Sequence, residues 1–300
     1  MKRESPKILR ELKAGRVLLC DGAMGTQLHR RGLPVGECPE SWNLSRPEDV
    51  QAIWAEYIAA GSDIIETNTL GGTRRKLEHF RLADQVVEIN QKSALLARCV
   101  AGDDHYVFAS VGPTGELMKP LGSRTEAEMI ETFAEQMKAL AQGGVDALCI
   151  ETQVALDEAV AAVKAARDNT DLPVVVSFAF SQVKAGQFRT IMGVSPERMV
   201  EKLTAAGADV LGSNCGQGPE RMLELCHKLR WLTDLPLMIQ ANAGLPVMEK
   251  GQTIFRATPQ EMADGAVQFR KAGANIIGGC CGTTPAHIEA MRKSLDSLSK

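Results

Sequence analysis

Two adjacent cysteines, Cys280 and Cys281, have the clearest chemical meaning in the sequence. They lie in the stretch GGCCGTTP at residues 278–285, directly after an apolar run. Neighbouring cysteines make poor disulfide partners because the bridge needs a specific separation and dihedral angle. The flanking glycines permit an irregular backbone that turns both thiols toward one point. Convergent thiolates favour a soft divalent metal, most often zinc; the alternative interpretation is two small core residues.

A third metal ligand is predicted at Cys215, in the stretch SNCG at residues 213–216. Cys215 follows the sixth predicted strand, just as Cys280 and Cys281 follow the eighth. In a parallel barrel both positions lie on the same rim, so the three thiols can meet there. Catalytic zinc keeps three protein ligands and one open position. Cys38 falls in a loop and is interpreted as a surface thiol. Four cysteines inside predicted helices or strands are interpreted as packing residues: Cys20, Cys99, Cys149 and Cys226.

Eight short apolar runs alternate with longer helical patterns and lack the polar alternation of half-exposed strands. Such runs are typical of parallel strands that are covered on both faces. The predicted strands are 16–20, 63–67, 106–110, 147–151, 173–178, 210–214, 237–241 and 275–279. We therefore expect an α/β fold, a single (βα)₈ TIM barrel over residues 1–300, with its active site at the carboxyl ends of the strands. Within residues 1–15, a helix at 7–14 is expected to cap one end of the barrel.

Local signals mark where helices begin and where the next strands start. Ser195, Thr258 and Thr284 each precede a proline, a pairing that predicts a hydroxyl-capped helix start. A four-residue pattern with glycine at its second position and Asp or Asn at its fourth comes before every second predicted strand. It occurs at residues 60–63, 143–146, 206–209 and 272–275. Recurrence at every second strand indicates the quarter symmetry of a (βα)₈ barrel.

The composition argues against several classes of protein. The 300 residues are 44% apolar and 24% charged, as in ordinary globular domains. A net charge of −3 offers no basic field for nucleic acid. No run approaches the roughly 18 apolar residues of a membrane span, so no membrane partner is expected. Eight cysteines without an export signal indicate a reducing, cytoplasmic location.

Three motifs in order resemble the homocysteine S-methyltransferase family. They are DGAMGT at residues 21–26, NCG at 214–216 and the cysteine stretch at 278–285. The resemblance spans residues 16–288, and ETNT at 66–69 together with GPTG at 112–115 looks most like the homocysteine-binding module of cobalamin-dependent methionine synthase. Leu70 replaces the aromatic residue that usually follows ETNT in that module.

The resemblance implies a zinc ion held by Cys215, Cys280 and Cys281, with the thiol of the substrate completing its coordination. It also implies that Asp21 and Glu151 hold the amino group of homocysteine. Both carboxylates fall on the predicted active rim, where a counter-charge for an ammonium group is needed. A loop-capping role for Asp21 and a rim salt bridge for Glu151 are the alternatives.

Further contacts are implied or proposed around the same rim. Backbone amides near Gly22 and Ala23 are expected to face the carboxylate of homocysteine. Asn68 and Ser110, at strand ends, are candidate polar contacts to the substrate or its sulfur, with turn capping as the alternative. Glu66 has either a binding role or a place in a structural ion pair of the barrel core.

The expected reaction is methyl transfer to the zinc-bound thiolate of L-homocysteine, which yields L-methionine. No folate or cobalamin module is expected within the 300 residues, so the donor is expected on a separate corrinoid protein. Betaine or S-methylmethionine is the small-molecule alternative. Methylation of another thiol or a selenol, and a non-catalytic zinc-binding barrel, are the competing functions.

Overall fold

Eight parallel strands form the centre of the protein, in a computed structural model that describes residues 6–249 and 252–298. They are β1 (Leu18–Leu19), β2 (Ile64–Glu66), β3 (Tyr106–Val111), β4 (Ala147–Gln153), β5 (Val174–Phe178), β6 (Val210–Asn214), β7 (Leu237–Ala241) and β8 (Ile276–Gly279). Hydrogen bonds join them in the order β1-β8-β7-β6-β5-β4-β3-β2. A parallel bridge between Cys20 and Ile64 brings β1 beside β2 and nearly closes the ring. The predicted TIM barrel is confirmed.

One long helix follows each strand on the outside of the barrel. In chain order these helices are Pro47–Ala59, Val86–Ala101, Glu126–Gln142, Leu156–Asn169, Pro196–Ala206, Pro219–Leu232, Pro259–Lys271 and Pro285–Ser297. Shorter helices are Lys7–Lys13, Met24–Arg30, Trp42–Ser45 and Arg74–Glu78, with 3₁₀ turns at Pro39–Ser41 and Ala83–Gln85. The predicted starts at Ser195, Thr258 and Thr284 are confirmed, since each residue is the N-cap of its helix. Each helix in the described ranges falls short of a membrane span in length or in apolar character.

The helix Lys7–Lys13 lies across the amino-terminal end of the barrel. Its Ile8 and Leu12 are buried against side chains that point into the barrel interior, including Leu18 and Ile276. These interior side chains come from the first part of each strand. The opposite, carboxyl-terminal end is thereby left as the accessible end of the barrel.

The repeated Gly-x-Asp pattern forms what we call the strand clasps, at the amino-terminal end of the barrel. The main-chain N–H of Asp209 donates to Val174 O at 2.8 Å, and Asp209 Oδ2 accepts the N–H of Val174, also at 2.8 Å. The same two-way contact joins Asp63 to Leu19, Asp146 to Val107 and Asn275 to Leu237. Each clasp therefore ties an even strand to the preceding odd strand, as quarter symmetry predicts.

An arginine from an outer helix reaches each clasp. Arg167 donates to Asp209 Oδ2 at 2.5 Å and to the carbonyl oxygen of Gly207. The corresponding contacts are Arg98 to Asp146, Arg230 to the carbonyl oxygen of Gly273, and Arg292 to Asp63. Arg292 belongs to the helix Pro285–Ser297, so its contact with Asp63 joins that helix to the clasp before β2.

Two β-hairpins on the carboxyl-terminal side were not predicted. They pair Ser181–Lys184 with Gln187–Arg189, and Val247–Glu249 with Gln252–Ile254. Their first strands are mostly exposed, so they lack the apolar runs that reveal the barrel strands. Both hairpins belong to loops that follow a barrel strand, after β5 and after β7.

Two cysteines differ from their predicted settings. Cys38 is only 4% exposed and packs with Leu77, Val86 and Ile89, so the surface assignment is wrong. Cys99 is exposed on the helix Val86–Ala101, so its assignment to packing is wrong. Because a loop can be buried by its neighbours and a helix has an outer face, location in an element does not decide burial.

Candidate metal centre and substrate pocket

The three predicted thiols meet at the carboxyl end of the barrel. The sulfur atoms of Cys215, Cys280 and Cys281 all lie within 4.8 Å of one another. The Sγ atoms of Cys215 and Cys281 are 3.8 Å apart. Sulfur ligands about 2.3 Å from a tetrahedral zinc ion stand about 3.8 Å from each other. Spacing and donor type therefore fit one zinc ion.

An irregular backbone brings these sulfurs together. Cys215 follows β6 with φ at +60°, a left-handed conformation that is rare for residues other than glycine. On the other side, β8 ends at Gly279 and the chain turns through Cys281 and Gly282, where φ is +81°. The irregular backbone predicted for the cysteine pair is present. Left-handed residues of this kind are typically retained at functional sites.

Hydrogen bonds among the three thiols shift their pKa values in opposite directions. Hydrogen bonds from Cys280 and Cys281 to the sulfur of Cys215 lower the pKa of Cys215. The same contacts raise the pKa of Cys280 and of Cys281. Cys215 is therefore the first of the three to become a thiolate, the form that binds metals.

Two carboxyl groups lie at the same end of the barrel: that of Glu151 interacts with Cys215, and that of Asp21 interacts with Glu151. Glu151, 8% exposed on β4, accepts a hydrogen bond from Asn214 Nδ2 at 3.0 Å and another from Ser110 Oγ. Asp21, 2% exposed after β1, accepts the main-chain N–H of Glu66 at 2.9 Å. Ser110 thus orients Glu151, and β2 orients Asp21.

A third carboxyl group, that of Glu66, completes a cluster of acids. Burial raises the pKa of Asp21 and of Glu66 to about 8, and it raises the pKa of Glu151 well above its usual range. None of the three pairs with Lys, Arg or His in the part of the chain that the structure describes. The core ion pair considered for Glu66 is therefore not formed there. A buried cluster of acids without a basic partner is suited to a cationic ligand.

Of three further predicted contact residues, Ala23 and Asn68 bond to other parts of the protein, and Gly22 packs tightly against Thr283. A side chain at Gly22 would place its Cβ 2.6 Å from Thr283 Oγ1, so only glycine fits there. The N–H of Ala23 donates to the same Thr283 oxygen at 3.0 Å. Asn68 Nδ2 donates to Pro39 O at 2.8 Å and to an amide oxygen, that of Asn43. The roles of Gly22, Ala23 and Asn68 toward a substrate stay predictions.

Sequence reasoning missed several residues that position the site. Gln240, at the end of β7, donates to Glu66 Oε2 at 3.0 Å. Thr152 has φ at +58° and accepts from Asn214 Nδ2 at 2.7 Å. His287 is buried, and its ring links Thr284 to the carbonyl oxygen of Ala257 in the loop after β7. A glutamine near the end of an otherwise apolar strand was the available signal for Gln240.

Comparisons with known proteins agree with the motifs. Residues 18–295 match the family described as homocysteine S-methyltransferase. The methionine synthases of Mycobacterium tuberculosis and Mycobacterium leprae are 31% and 32% identical over 97% and 93% of this chain. The chain spans about a quarter of the length of these curated relatives, 26% and 24% respectively.

Solved structures show the same relationship. The homocysteine methyltransferase MmuM of Escherichia coli, in its metallated form, is 26% identical with a TM-score of 0.79, over 95% of this chain and 99% of that chain. A methyltransferase from Methanosarcina mazei, 10% identical with a TM-score of 0.64 over 98% of each chain, shares the fold alone. With the family match covering nearly the whole barrel, this chain belongs to the homocysteine S-methyltransferase family.

Proposed function

We propose that the protein transfers a methyl group to the thiol of L-homocysteine, with zinc as its metal, and forms L-methionine. The observation that carries this proposal is the position of three convergent thiols beside a buried, uncompensated cluster of acids. Cys215, Cys280 and Cys281 would hold the zinc, which when bound lowers the pKa of a substrate thiol and thereby makes it a nucleophile. A substrate whose thiol and amino group are a few bonds apart can place the thiol at the zinc ion and the amino group at the acids.

The protein's own residues bind and orient the substrate. Asp21 and Glu151 take its ammonium group, and Ser110 and Asn214 hold Glu151 in place. Three thiolates carry more negative charge than zinc carries positive charge. The substrate sulfur therefore stays electron-rich, which favours alkyl transfer over hydrolysis.

We further propose that the methyl donor is a methylcorrinoid carried by a protein domain. Loops that follow β1, β2, β3, β5 and β7 expose large apolar side chains around the mouth of the barrel. They are Val35, Leu70, Leu117, Leu121, Val183, Ile191, Met192, Leu245, Val247 and Met248. Apolar side chains gathered on one face of a soluble domain typically mark a protein interface. A small donor such as betaine needs no such surface.

The donor is tested by assaying methionine formation with methylcobalamin, betaine and S-methylmethionine side by side, using zinc-loaded protein. We expect methylcobalamin to support the reaction best. A higher rate with betaine or S-methylmethionine would replace the corrinoid proposal. No methionine with any of the three would favour methylation of another thiol or a selenol.

The docking surface is tested with Ile191→Ser and Met248→Ser. Both variants should slow transfer from the methylated cobalamin domain of a methionine synthase while leaving transfer from free methylcobalamin unchanged. Trp231→Ser is the matched control, because Trp231 is 84% exposed but lies at the end of an outer helix away from the mouth. Equal effects in all three variants would contradict docking on this face.

A further inference from the structure

Glu66 has no role in the function proposed above, although it belongs to the same cluster of acids as Asp21 and Glu151. Its Oε2 accepts from Gln240, whereas its buried Oε1 has no nitrogen or oxygen donor among the described residues. The weak thiol donor of Cys149 also bonds to the carboxyl group. Gln240 is 2% exposed, and its own Oε1 is likewise buried without a partner. Two buried acceptor atoms beside the acid cluster therefore lack the N–H donors that the ammonium group of a ligand would supply.

The groups that face Glu66 are thiols and carboxyls. Cys20 and Asp21 approach from the end of β1, with ligand atoms within 4.8 Å of those of Glu66. Cys149 and Glu151 approach from β4. Three ionised carboxylates at such distances in a buried site repel one another strongly. At least one of the three acids therefore holds a proton while no cation is bound.

Hydrogen bonding indicates which acid that is. Glu151 accepts from Ser110 and Asn214, and Asp21 accepts a main-chain N–H; such bonds favour ionised carboxylates. The negative charge of Cys215 also raises the pKa of Glu151, and a bound zinc ion would offset that charge. Glu66 accepts one amide N–H and little else. Burial and the charge of Asp21 raise the pKa of Glu66. Because burial also raises the pKa of Asp21, the unpartnered Oε1 is the feature that marks Glu66 as the acid that holds the proton.

We propose that Glu66 holds a proton while the amino-acid pocket is empty and releases it when the ammonium group of the substrate enters. This inference rests on the proposed function, in which the pocket receives homocysteine. The O–H bond of the Glu66 carboxyl group breaks, the proton passes to solvent, and the resulting carboxylate faces the ammonium group. A thiol without an amino group gains no such partner, so Glu66 selects amino-acid thiols.

The test counts protons released on binding, by calorimetry of the zinc-loaded protein at pH 7 in buffers of different ionisation enthalpy. The ligands are homocysteine and its desamino analogue, which keeps the thiol and the carboxylate. Each thiol should release about one proton on binding as a thiolate, and homocysteine should release about one more. Glu66→Gln should abolish the extra proton. Glu158→Gln should retain it, because Glu158 is also a buried acid but bonds to Thr114, away from the acid cluster.

Equal release by both ligands, or an extra proton that persists in Glu66→Gln, would overturn the inference. No release with either ligand would count instead against the proposed function. If Glu66→Gln does not bind homocysteine, infrared difference spectra of the wild-type protein decide the matter. A protonated-carboxyl band must disappear when homocysteine binds, and that band must be absent from ligand-free Glu66→Gln; its presence there would also overturn the inference.

Discussion

The two ends of the barrel are built on different plans. At the amino-terminal end, the four strand clasps repeat one arrangement of main chain, acid or amide, and arginine. At the carboxyl-terminal end, the three thiols, the acid cluster and the left-handed residues Thr152 and Cys215 do not form a repeated arrangement. Repeated contacts stabilise a barrel whatever it binds, whereas strained backbone and clustered acids lower stability and are retained for chemistry. Stability and chemistry should therefore respond to substitutions at opposite ends.

The largest effect is expected from Cys215→Ala. With two thiols left, zinc should be lost, and methyl transfer should fall by more than about 100-fold, since weaker changes around metal ligands already cost 10- to 100-fold. Metal content and methionine formation are the measurements. Cys226→Ala is the control: Cys226 is a buried packing residue, so this variant should keep its zinc and lose about 1 kcal/mol of stability. Undiminished zinc in Cys215→Ala would exclude this ligand set.

At the other end, Asp209→Ala should destabilise without touching the chemistry. It removes the acceptor of the Val174 N–H and of Arg167, at an expected cost of about 2–3 kcal/mol in the free energy of unfolding. Zinc content and the KM for homocysteine should not change. Asp168→Ala, at an exposed neighbouring position, should stay within about 0.5 kcal/mol of the wild type in urea unfolding. A large loss of zinc affinity in Asp209→Ala would show that the two ends are coupled.

The acid cluster should make stability depend on pH. The pKa of Glu66 is about 8 in the folded protein and near 4.5 when unfolded, so the folded state binds more protons between these values. This contribution is fully present below about pH 4.5 and is lost as the pH rises through about 8. Relative to the wild type without homocysteine, Glu66→Gln should therefore gain stability as the pH is raised, as followed by thermal unfolding. A constant difference across that range would contradict the raised pKa.

The smallest effect is expected at the clasp glycines. Gly144 has φ at +87° with open space around its Cα, so Gly144→Ala adds backbone strain alone, about 1 kcal/mol. Gly25 lies in the helix Met24–Arg30 at the opposite end, also with open space. Gly25→Ala should raise stability by up to about 1 kcal/mol. A lower free energy of unfolding in Gly144→Ala and a higher one in Gly25→Ala, both from chemical denaturation, would confirm that only the clasp position needs glycine.

Local sequence patterns predicted the features that residues close together in the chain determine, such as the bounds of buried strands. The strands at 210–214 and 237–241 were predicted with their observed bounds, because apolar runs with clear ends identify buried strands. The repeat at 60–63 and its equivalents predicted the clasps' spacing. The convergence of three thiols followed from the rule that parallel strands end on one rim.

Contacts that depend on strand register were not predictable in this way. Gln240 on β7 contacts Glu66 on β2 across the interior of the barrel. No local pattern encodes this contact, because it depends on the order and register of distant strands. The same applies to Ala23, whose N–H is engaged by Thr283 from the far end of the chain. The hairpin at Ser181–Lys184 escaped prediction because it is exposed and polar.

The central claim is that three protein sulfurs hold one zinc ion and leave one position for the thiol of homocysteine. X-ray absorption fine structure of the zinc-loaded protein tests it most directly. We predict three sulfur neighbours around zinc without ligand and four after homocysteine is added, with no change on adding methionine. Fewer than three sulfurs in the free protein, or a sulfur count that homocysteine leaves unchanged, would contradict the account.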